Sequence, residues 1–289
     1  MTFNCLMKVL VTGGSGYLGT HIKNFFSADD LSRRSGGDIT ISDDVERIAE
    51  YDMVIHAAAH LDKLPDAADQ CFKTNVDGTV NILKNIREDA CFIYLSTKDI
   101  YGAYADNYYD VPESCPTSFT GQSALEWSKL IGEQYVEFYA NTRKFRSCIF
   151  RLSTTFAPIS EGNRPGFVGH YANAINFGER LKLPGGGIPV RDVMHVDDLS
   201  RACSAFQSSV IRHGKYNLGG GRKNAVSLME LVKKMEDVSG LQAVIDEESP
   251  LPMPTPVNYV TDLSLISQEL DWSCEMSVEE GLKTLFRTF

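Results

Sequence analysis

The chain has 289 residues, of which 43% are hydrophobic, and a formal net charge of −10; this composition can bury a sizeable core and argues against global disorder. The negative charge argues against nucleic acid or anionic membranes as partners, and no uninterrupted apolar run reaches the ~18 residues of a membrane span. Seven cysteines, an odd number without C-x-x-C pairs, argue against a disulfide scaffold or a zinc site and predict reduced thiols in the cytoplasm.

The first predicted element is a buried strand that runs into a glycine-rich turn. Val9–Val11 form a short apolar run with two β-branched residues, and Gly13, Gly16 and Gly19 follow at the spacing G-x-x-G-x-x-G before a helical pattern. A strand, a glycine turn and a helix N-terminus can seat a pyrophosphate, because the backbone comes close and the helix N–H groups favour negative charge. The alternative is an ordinary tight turn between a strand and a helix.

A second, unusually short strand is predicted within Ala28–Gly37. An acidic residue at its tip would bond the ribose 2′-hydroxyl of NAD, whereas an arginine would accommodate the 2′-phosphate of NADP. Asp29 and Asp30 precede Arg33 and Arg34 here, so NAD, NADP and a solvated charged turn all stay open. Asp38 begins the next segment and could approach the adenine.

Two further buried strands bring chemistry to the predicted sheet edge. Met53–Ala59 ends in small alanines that let the backbone lie close to a flat ligand, and Asn75 opens an apolar-periodic helix. The apolar run Cys91–Ser96 delivers a hydroxyl, an ammonium and a carboxylate, Thr97-Lys98-Asp99, to the carboxyl edge of the sheet, where open α/β sheets bind ligands. A solvated strand-end turn is the alternative.

His56 and His60 are spaced four apart, like a helical metal pair. However, His56 falls on a predicted strand and no third ligand is near in the sequence. We therefore expect core or loop histidines and no metal site.

Strand and helix alternate up to about residue 155, with a helix over Trp127–Tyr139 and a strand over Arg146–Leu152. This alternation predicts an α/β fold with a doubly wound parallel sheet of the Rossmann type. Residues 1–155, with about 191–221, would form the dinucleotide-binding domain, and Tyr216–Gly221 would return a strand to its sheet. Residues of about 156–190 and 222–289 would form a smaller, non-contiguous substrate lobe, with Pro250–Pro256 as an extended connection.

Six motifs occur in one order along nearly the whole chain. They are Thr12–Gly19, His56–Ala59, Asn75–Thr79, Ser96–Gly102, Ser128–Glu133 and Arg191–Asp198. Together they resemble the extended short-chain dehydrogenases/reductases of the NAD-dependent epimerase/dehydratase family, which modify nucleotide-diphosphate sugars. The later segments Asn217–Leu228, Asp271-Trp272 and Ser277–Leu282 are most similar to CDP-paratose/CDP-tyvelose 2-epimerases.

The resemblance implies roles for residues at matching positions. Thr97 would bond a hydroxyl or keto oxygen of the substrate, and Arg191 its diphosphate, while Thr154 stands where the family has a substrate-binding asparagine. Lys129 would hold the nicotinamide ribose and lower the pKa of a catalytic tyrosine. Lys98 and Asp99 stand where the family's dehydratases carry acidic residues. The expected cofactor contacts are Gly13, Ser15, Gly16, Tyr17, Leu18, Arg33, Arg34, Asp38, Ile39, Ala57, Ala58, Ala59, Asn75, Leu95, Ser96 and Lys129.

One departure from the family pattern concerns the catalytic tyrosine. That tyrosine lies four residues before the lysine, and here the position holds Leu125, which has no ionisable group. Lys129 itself, Lys98 or a tyrosine brought in by a loop would then have to take the hydroxyl proton.

Two functions therefore remain open. The first is an NAD(P)-dependent nucleotide-sugar epimerase, dehydratase or reductase with an altered acid–base group. The second is an NAD(P)-binding protein without redox catalysis, acting as a sensor, partner or scaffold. Relatives in the family dimerise through two helices per subunit, which predicts a homodimer through the helices beginning near Thr79 and Trp127.

Overall fold

The computed structural model describes residues 7–160, 162–246, 250 and 256–286. The chain separates into two compact units. The first comprises Met1–Ile100, Ser123–Arg151 and Cys203–Tyr216, and the second comprises Tyr101–Gln122, Leu152–Ala202 and Asn217–Phe289. The predicted dinucleotide-binding domain, 1–155 with about 191–221, also includes residues 101–122, 152–155, 191–202 and 217–221, which belong to the second unit.

The secondary structure has short strands and mostly short helices. The strands are β1 Val9–Thr12, β2 Asp29–Leu31, β3 Met53–His56, β4 Cys91–Thr97, β5 Arg146–Leu152, β6 Thr154–Phe156, β7 Arg180–Leu181, β8 Val190–His195, β9 His213–Leu218, β10 Ala225–Ser227 and β11 Val244–Ile245. The helices are α1 Tyr17–Phe26, α2 Ser42–Val45, α3 Ala68–Phe72, α4 Gly78–Asn85, α5 Ala124–Arg143, α6 Phe167–Phe177, α7 Val196–Ser208, α8 Leu228–Ser239, α9 Ser264–Leu270 and α10 Val278–Phe286. Within the described residues, none of these helices is long and apolar enough to cross a membrane.

The first unit is organised around a six-stranded sheet in the order β2-β1-β3-β4-β5-β9. β1 pairs in parallel with β2 and β3, and β3 pairs in parallel with β4. β1 and β3 are buried throughout, as expected for apolar strands covered on both faces. Leu10, Val54 and Phe92 of these strands share a core with Ile82 of α4 and Val136 of α5. The predicted doubly wound α/β fold is confirmed, including the return of β9 to this sheet.

The helix that contains Asn75 begins earlier than predicted. It starts at Ala68 as α3, passes through a five-residue π-helical segment, Lys73–Asp77, and continues as α4. Polar residues occupy most of the π segment, so an apolar period shows only from α4 onwards. A π segment of this kind often marks a functional position in a helix.

The second unit contains a three-stranded sheet, β10-β8-β6, and a two-stranded sheet, β11-β7. Its core gathers Phe156 of β6, Val193 of β8, Leu231 of α8 and Leu282 of α10. β8 pairs antiparallel with β10 and parallel with β6. Of the predicted extended connection Pro250–Pro256, residues 251–255 lie outside the described residues.

Candidate active site

The glycine turn after β1 is as tight as its spacing predicts. Gly13 has a φ of +71°, and a Cβ there would lie 2.7 Å from the Cα of Ala58. A Cβ on Gly19 would lie 2.0 Å from the carbonyl oxygen of Gly13, so this position requires glycine. The N–H of Gly16 donates to the same oxygen at 2.9 Å. α1 then begins at Tyr17 without a side-chain cap, which suits an anion at its N-terminus.

Charged side chains from the β2 region reach this turn. The guanidinium of Arg34 donates to the carbonyl oxygen of Ser15 at 3.0 Å, and the Ser15 hydroxyl lies 2.8 Å from that of Ser32. The Ser32 hydroxyl also donates to one oxygen of Asp30 at 3.0 Å. Arg34 thus brings positive charge to the turn in a chain of net charge −10.

The other carboxylate oxygen of Asp30, Oδ1, is buried and has no hydrogen-bond partner. A Cβ on Gly14 would lie 2.7 Å from this atom, so the carboxylate rests against the glycine turn. A buried acceptor without a donor is costly unless a ligand supplies one. The Oδ1 atom of Asp30 can therefore accept a hydrogen bond from a hydroxyl group of a ligand.

The segments after Ser32 and β3 hold several of the other expected cofactor contacts. Arg33 is exposed and Ile39 is buried against Gly78. The carboxylate of Asp38 accepts from both the N–H and the hydroxyl of Thr40 at 2.9 Å. Burial raises the pKa of Asp38, but these hydrogen bonds outweigh it and lower the pKa. The expected contacts that remain partly exposed beside the turn are Tyr17, Leu18, Ala57, Ala58 and Ala59.

His56 is a core histidine. Its ring nitrogens lie 2.6 Å from the hydroxyl of Thr12 and 2.9 Å from that of Thr79. Burial, followed by the nearby charge of Lys129, lowers the pKa of His56 well below its ordinary value, so the ring stays neutral. In the described part of the chain, no cluster of three metal-ligating side chains forms.

Asn75 ties the loop after β3 to α5. Its side-chain oxygen accepts from the N–H of His60 at 2.7 Å, and its amide donates to the carbonyl of His60 and the hydroxyl of Ser128 at 3.0 and 2.9 Å. The π segment places this buried amide between the two elements. The structure thus gives Asn75 a positioning role, and its contact with the cofactor stays a prediction.

A buried ion pair lies beneath the end of β4. Arg151 donates to both oxygens of Glu133, through Nε at 3.1 and 3.2 Å and through Nη2 at 2.7 Å. The hydroxyl of Ser96 donates to Glu133 at 2.5 Å. Both charged side chains are almost fully buried, so each depends on the other.

Lys129 lies one helical turn beyond Leu125 on α5, and both side chains are buried. Its Nζ donates to the carbonyl oxygen of Leu95 at 2.8 Å and lies 4.8 Å from the centre of the Tyr94 ring. Burial lowers the pKa of Lys129 to about 8, against an opposing effect of the Glu133 carboxylate. An amine with this pKa can change protonation state near neutral pH.

The residues after β4 form a different kind of cluster. The ammonium of Lys98 pairs with Asp99, and Lys63 reaches Asp99 at 3.0 Å and Glu126 at 2.7 Å. Burial raises the pKa of Asp99, but the two ammonium groups hold it well below its usual range. The backbone N–H of Asp99 donates to the hydroxyl of Thr97 at 3.2 Å. These four charged residues, the charge cluster, satisfy one another.

The two substrate contacts expected from the second unit lie on neighbouring strands of its sheet. Thr154 opens β6 opposite Val193 of β8, and its side chain is partly exposed. Arg191 of β8 is buried, and its guanidinium donates to the carbonyl oxygens of Val257 at 2.8 Å and Pro256 at 2.9 Å. Arg191 therefore fixes the chain that follows the proline-rich segment, and a contact with a diphosphate stays a prediction.

No sequence pattern described above marks Lys63, Glu126, Glu133 or Arg151 as functional. Glu126 had a local signal, because Ser123 and Glu126 have the S-x-x-E spacing of a capping box, which the structure contains. Lys63 had none, since it reaches Asp99 across 36 positions of sequence.

Comparisons with known proteins agree with this geometry. Residues 9–219 match the family described as the NAD dependent epimerase/dehydratase family. The chain is 27% identical to a CDP-paratose 2-epimerase of Salmonella typhi, over 97% of this chain and 98% of that protein.

Solved structures share the fold. A UDP-glucose 4-epimerase of Thermotoga maritima, solved with UDP-glucose, superimposes with a TM-score of 0.85 at 23% identity, covering 97% of this chain and 98% of the other. A UDP-glucuronic acid 4-epimerase of Bacillus cereus, solved with UDP-glucuronic acid and NAD, gives a TM-score of 0.83 at 21% identity over 97% and 98%. The resemblance inferred from the six motifs is confirmed: the chain belongs to the NAD-dependent epimerase/dehydratase family.

Proposed function

We propose that this protein is an NAD-dependent enzyme that epimerises a nucleotide-diphosphate sugar through a transient ketone. The observation that carries the proposal is the glycine turn with its close glycine contacts, the uncapped N-terminus of α1 and the unpaired Asp30 oxygen beside it. A structural module has no need for a buried acceptor without a donor. A dinucleotide supplies both the phosphates and the hydroxyls that such a site lacks.

The residues present fit NAD. The turn from Gly13 to Gly19 and the N-terminus of α1 would take the pyrophosphate, and Ala57–Ala59 would lie beside the ligand. Lys129 would face the nicotinamide ribose at the end of β4. When bound, NAD accepts hydride from a sugar carbon and returns it.

Asp30 favours NAD over NADP. Its buried Oδ1 can accept a hydrogen bond from a ribose hydroxyl, whereas a 2′-phosphate there would place two negative groups together. Arg34 directs one N–H of its guanidinium to the carbonyl oxygen of Ser15, and we assign its positive charge to the pyrophosphate on the turn. The unpaired Asp30 oxygen therefore supports NAD, of the two dinucleotides that the sequence left open.

The charge cluster favours epimerisation over dehydration. A dehydratase must remove a proton from a sugar carbon, which needs a carboxylate of substantial basicity. The pKa of Asp99 is held well below its usual range by Lys98 and Lys63, so Asp99 is a weak base. Thr97, whose side chain is partly exposed at the end of β4, would bond the oxygen that becomes the ketone.

The substrate would carry a nucleoside diphosphate. The similar epimerases were solved with UDP-glucose and UDP-glucuronic acid. On this chain we assign Arg191 to the diphosphate and Thr154 to the sugar, as the family resemblance implies. The acidic surface does not oppose this assignment, since a diphosphate needs positive charge only where it binds.

A homodimer through α4 and α5 is part of the proposal. Phe72 on α3 and Tyr135 and Phe138 on α5 are 38%, 39% and 60% exposed, and α3, α4 and α5 pack together. Phe138→Glu would therefore convert a dimer into a monomer in light scattering, whereas Phe177→Glu, on the equally exposed Phe177 of α6, would leave it intact. A monomeric wild-type protein would contradict this part.

We place the reaction in the cytoplasm, where reduced thiols persist. The six cysteines in the described part of the chain carry free thiols.

The function is tested by incubating the protein with NAD and a panel of nucleotide-diphosphate sugars. We expect one sugar to convert to its epimer with no net consumption of NAD, and proton NMR measures the conversion. The second candidate, a dinucleotide-binding protein without redox catalysis, is favoured by Leu125, which cannot exchange protons. Binding of NAD with no sugar converted and no reduced nicotinamide in the near-ultraviolet spectrum would establish that candidate and overturn the first.

A further inference from the structure

We propose that the amine of Lys129 is the catalytic base, taking the proton of the substrate hydroxyl directly and returning it when the ketone is reduced. The inference rests on the proposed function and deepens it. It assigns proton transfer to a residue whose expected role is to hold a ribose and to assist a phenol.

The position of Lys129 suits this role. Its Nζ lies at the end of β4, 2.8 Å from the carbonyl oxygen of Leu95, next to the strand residues that lead to Thr97. A neutral amine can keep one N–H on that carbonyl while its lone pair points elsewhere. The carbonyl therefore orients the amine in both protonation states.

The other side chains near Lys129 cannot take the hydroxyl proton of the substrate. Leu125, one turn before Lys129, has no ionisable group. The charged groups of Lys63, Lys98 and Asp99 are held in the charge cluster.

Two further groups near Lys129 are held neutral. Burial raises the pKa of the Tyr94 phenol far above its ordinary value, so it does not ionise, and it contacts the backbone of α5 through the Lys129 carbonyl at 3.4 Å. His56 uses both ring nitrogens on the hydroxyls of Thr12 and Thr79.

The charges that face Lys129 leave its amine free to lose a proton. Glu133, one turn further along α5, is paired with Arg151, and its carboxylate opposes the effect of burial on Lys129 without outweighing it. Tyr94 of β4 and His56 of β3 are neutral. Burial then dominates and brings the pKa of Lys129 to about 8.

The step balances without a further reactant. The O–H bond of the sugar hydroxyl breaks and an N–H bond forms on Lys129. The C–H bond breaks and its hydrogen leaves as hydride, with both electrons, to the oxidised nicotinamide dinucleotide. The same carbon becomes a ketone, and reversal from the opposite face gives the epimer.

Two substitutions of Lys129 distinguish a role as a catalytic base from a role as a positive charge. Lys129→Arg keeps a cation but a guanidinium does not deprotonate, and Lys129→Met removes both functions. We expect kcat to fall about 100-fold or more in both variants. Lys233→Met, at an exposed lysine of α8, is the control and should match the wild type. An arginine variant that keeps more than about a tenth of kcat would overturn the inference.

The pH dependence gives a readout that a structural role would not move. The wild-type kcat/KM should rise about tenfold per pH unit up to a midpoint near 8 and then level off. In Lys129→Ala, which leaves room for a small amine, methylamine should restore turnover in proportion to its neutral fraction, and tetramethylammonium should not. Equal rescue by both additives, or no rescue of a variant that still binds NAD, would contradict a base at this position.

A measurement independent of turnover separates this inference from the proposed function. The side-chain nitrogen of Lys129 can be followed by NMR in the wild-type protein, assigned by its loss in Lys129→Met. We expect it to titrate near pH 8, and a midpoint at the ordinary value of 10.5 would sink the inference even where the enzyme is active. Absence of NAD binding by the wild type would instead sink the proposed function, whatever the titration shows.

Discussion

Two lysine environments in the first unit show how the same side chain acquires opposite properties. Lys63 contacts the carboxylates of Asp99 and Glu126, which outweigh burial and raise its pKa above its ordinary value. Lys129 contacts a neutral carbonyl, and burial lowers its pKa to about 8. The presence of a counter-charge, and not the lysine itself, decides which group holds its proton and which can exchange it.

The largest effect is expected where a counter-charge is removed from the buried pair. Glu133→Gln leaves Arg151 buried without an anion, which costs about 3–5 kcal/mol of the free energy of unfolding. It also removes the carboxylate that raises the pKa of Lys129, so that pKa falls below about 8. Urea unfolding followed by circular dichroism measures the first effect, and the NMR titration of Lys129 the second.

The control for this substitution lies on the same helix. Glu137→Gln breaks a pair with Lys215 in which both side chains are more than a third exposed, and it should cost less than about 1 kcal/mol. Similar losses of stability in the two variants would show that burial of an ion pair does not determine the cost of removing one of its charges.

A smaller effect is expected in the charge cluster. Asp99→Asn removes the anion shared by Lys63 and Lys98 and should cost about 1–3 kcal/mol at neutral pH. Because the folded-state pKa of Asp99 lies below its unfolded value of about 3.8, this stabilisation is complete above that value and is lost as the pH falls through the folded pKa. Acid denaturation curves of the two proteins should therefore converge below about pH 4.

Curves for the wild type and Asp99→Asn that stay parallel down to the lowest pH would contradict this account. They would show that the carboxylate stabilises the fold by packing and not by its charge. Asp69→Asn, on α3 and outside the charge cluster, should leave the curve unchanged.

The smallest effect is expected on dinucleotide affinity, at the Asp30 carboxylate, which has one buried oxygen without a hydrogen-bond partner. Asp30→Ser should weaken NAD binding about tenfold, or ~1.4 kcal/mol, and leave NADP binding unchanged or improved. Fluorescence titration with both dinucleotides measures the ratio. An unchanged preference would show that Asp30 does not face the ribose.

Local sequence patterns predicted the parts of the fold that depend on neighbouring residues. The apolar run of β5 gave its bounds, Arg146–Leu152, and the glycine spacing located the turn before α1. The predicted start of a helix at Asn75 was wrong: the helix begins at Ala68, and the mostly polar π segment Lys73–Asp77 interrupts its apolar pattern. Local pattern works where one stripe of residues faces the core, and fails where polar side chains face inward.

In the candidate site, too, sequence revealed residues that are neighbours along the chain but not contacts between distant residues. Lys129 and Leu125 were visible one helical turn apart, whereas the contact of Lys63 with Asp99 joins residues far apart in the chain. The pKa of Lys129 depends on burial and on the pairing of Glu133 with Arg151, which belong to the folded state alone. Sequence could therefore locate the reactive groups but could not say which of them exchanges a proton.

Isothermal titration calorimetry measures whether NAD binds to this protein, with its pyrophosphate on the glycine turn of the first unit. We predict that one NAD binds per wild-type chain, more tightly than NADP. Gly19→Ala should abolish binding, since its new Cβ would lie 2.0 Å from the Gly13 carbonyl oxygen. Heats of titration no greater than dilution for both dinucleotides, in folded wild-type protein purified free of bound cofactor, would contradict the account.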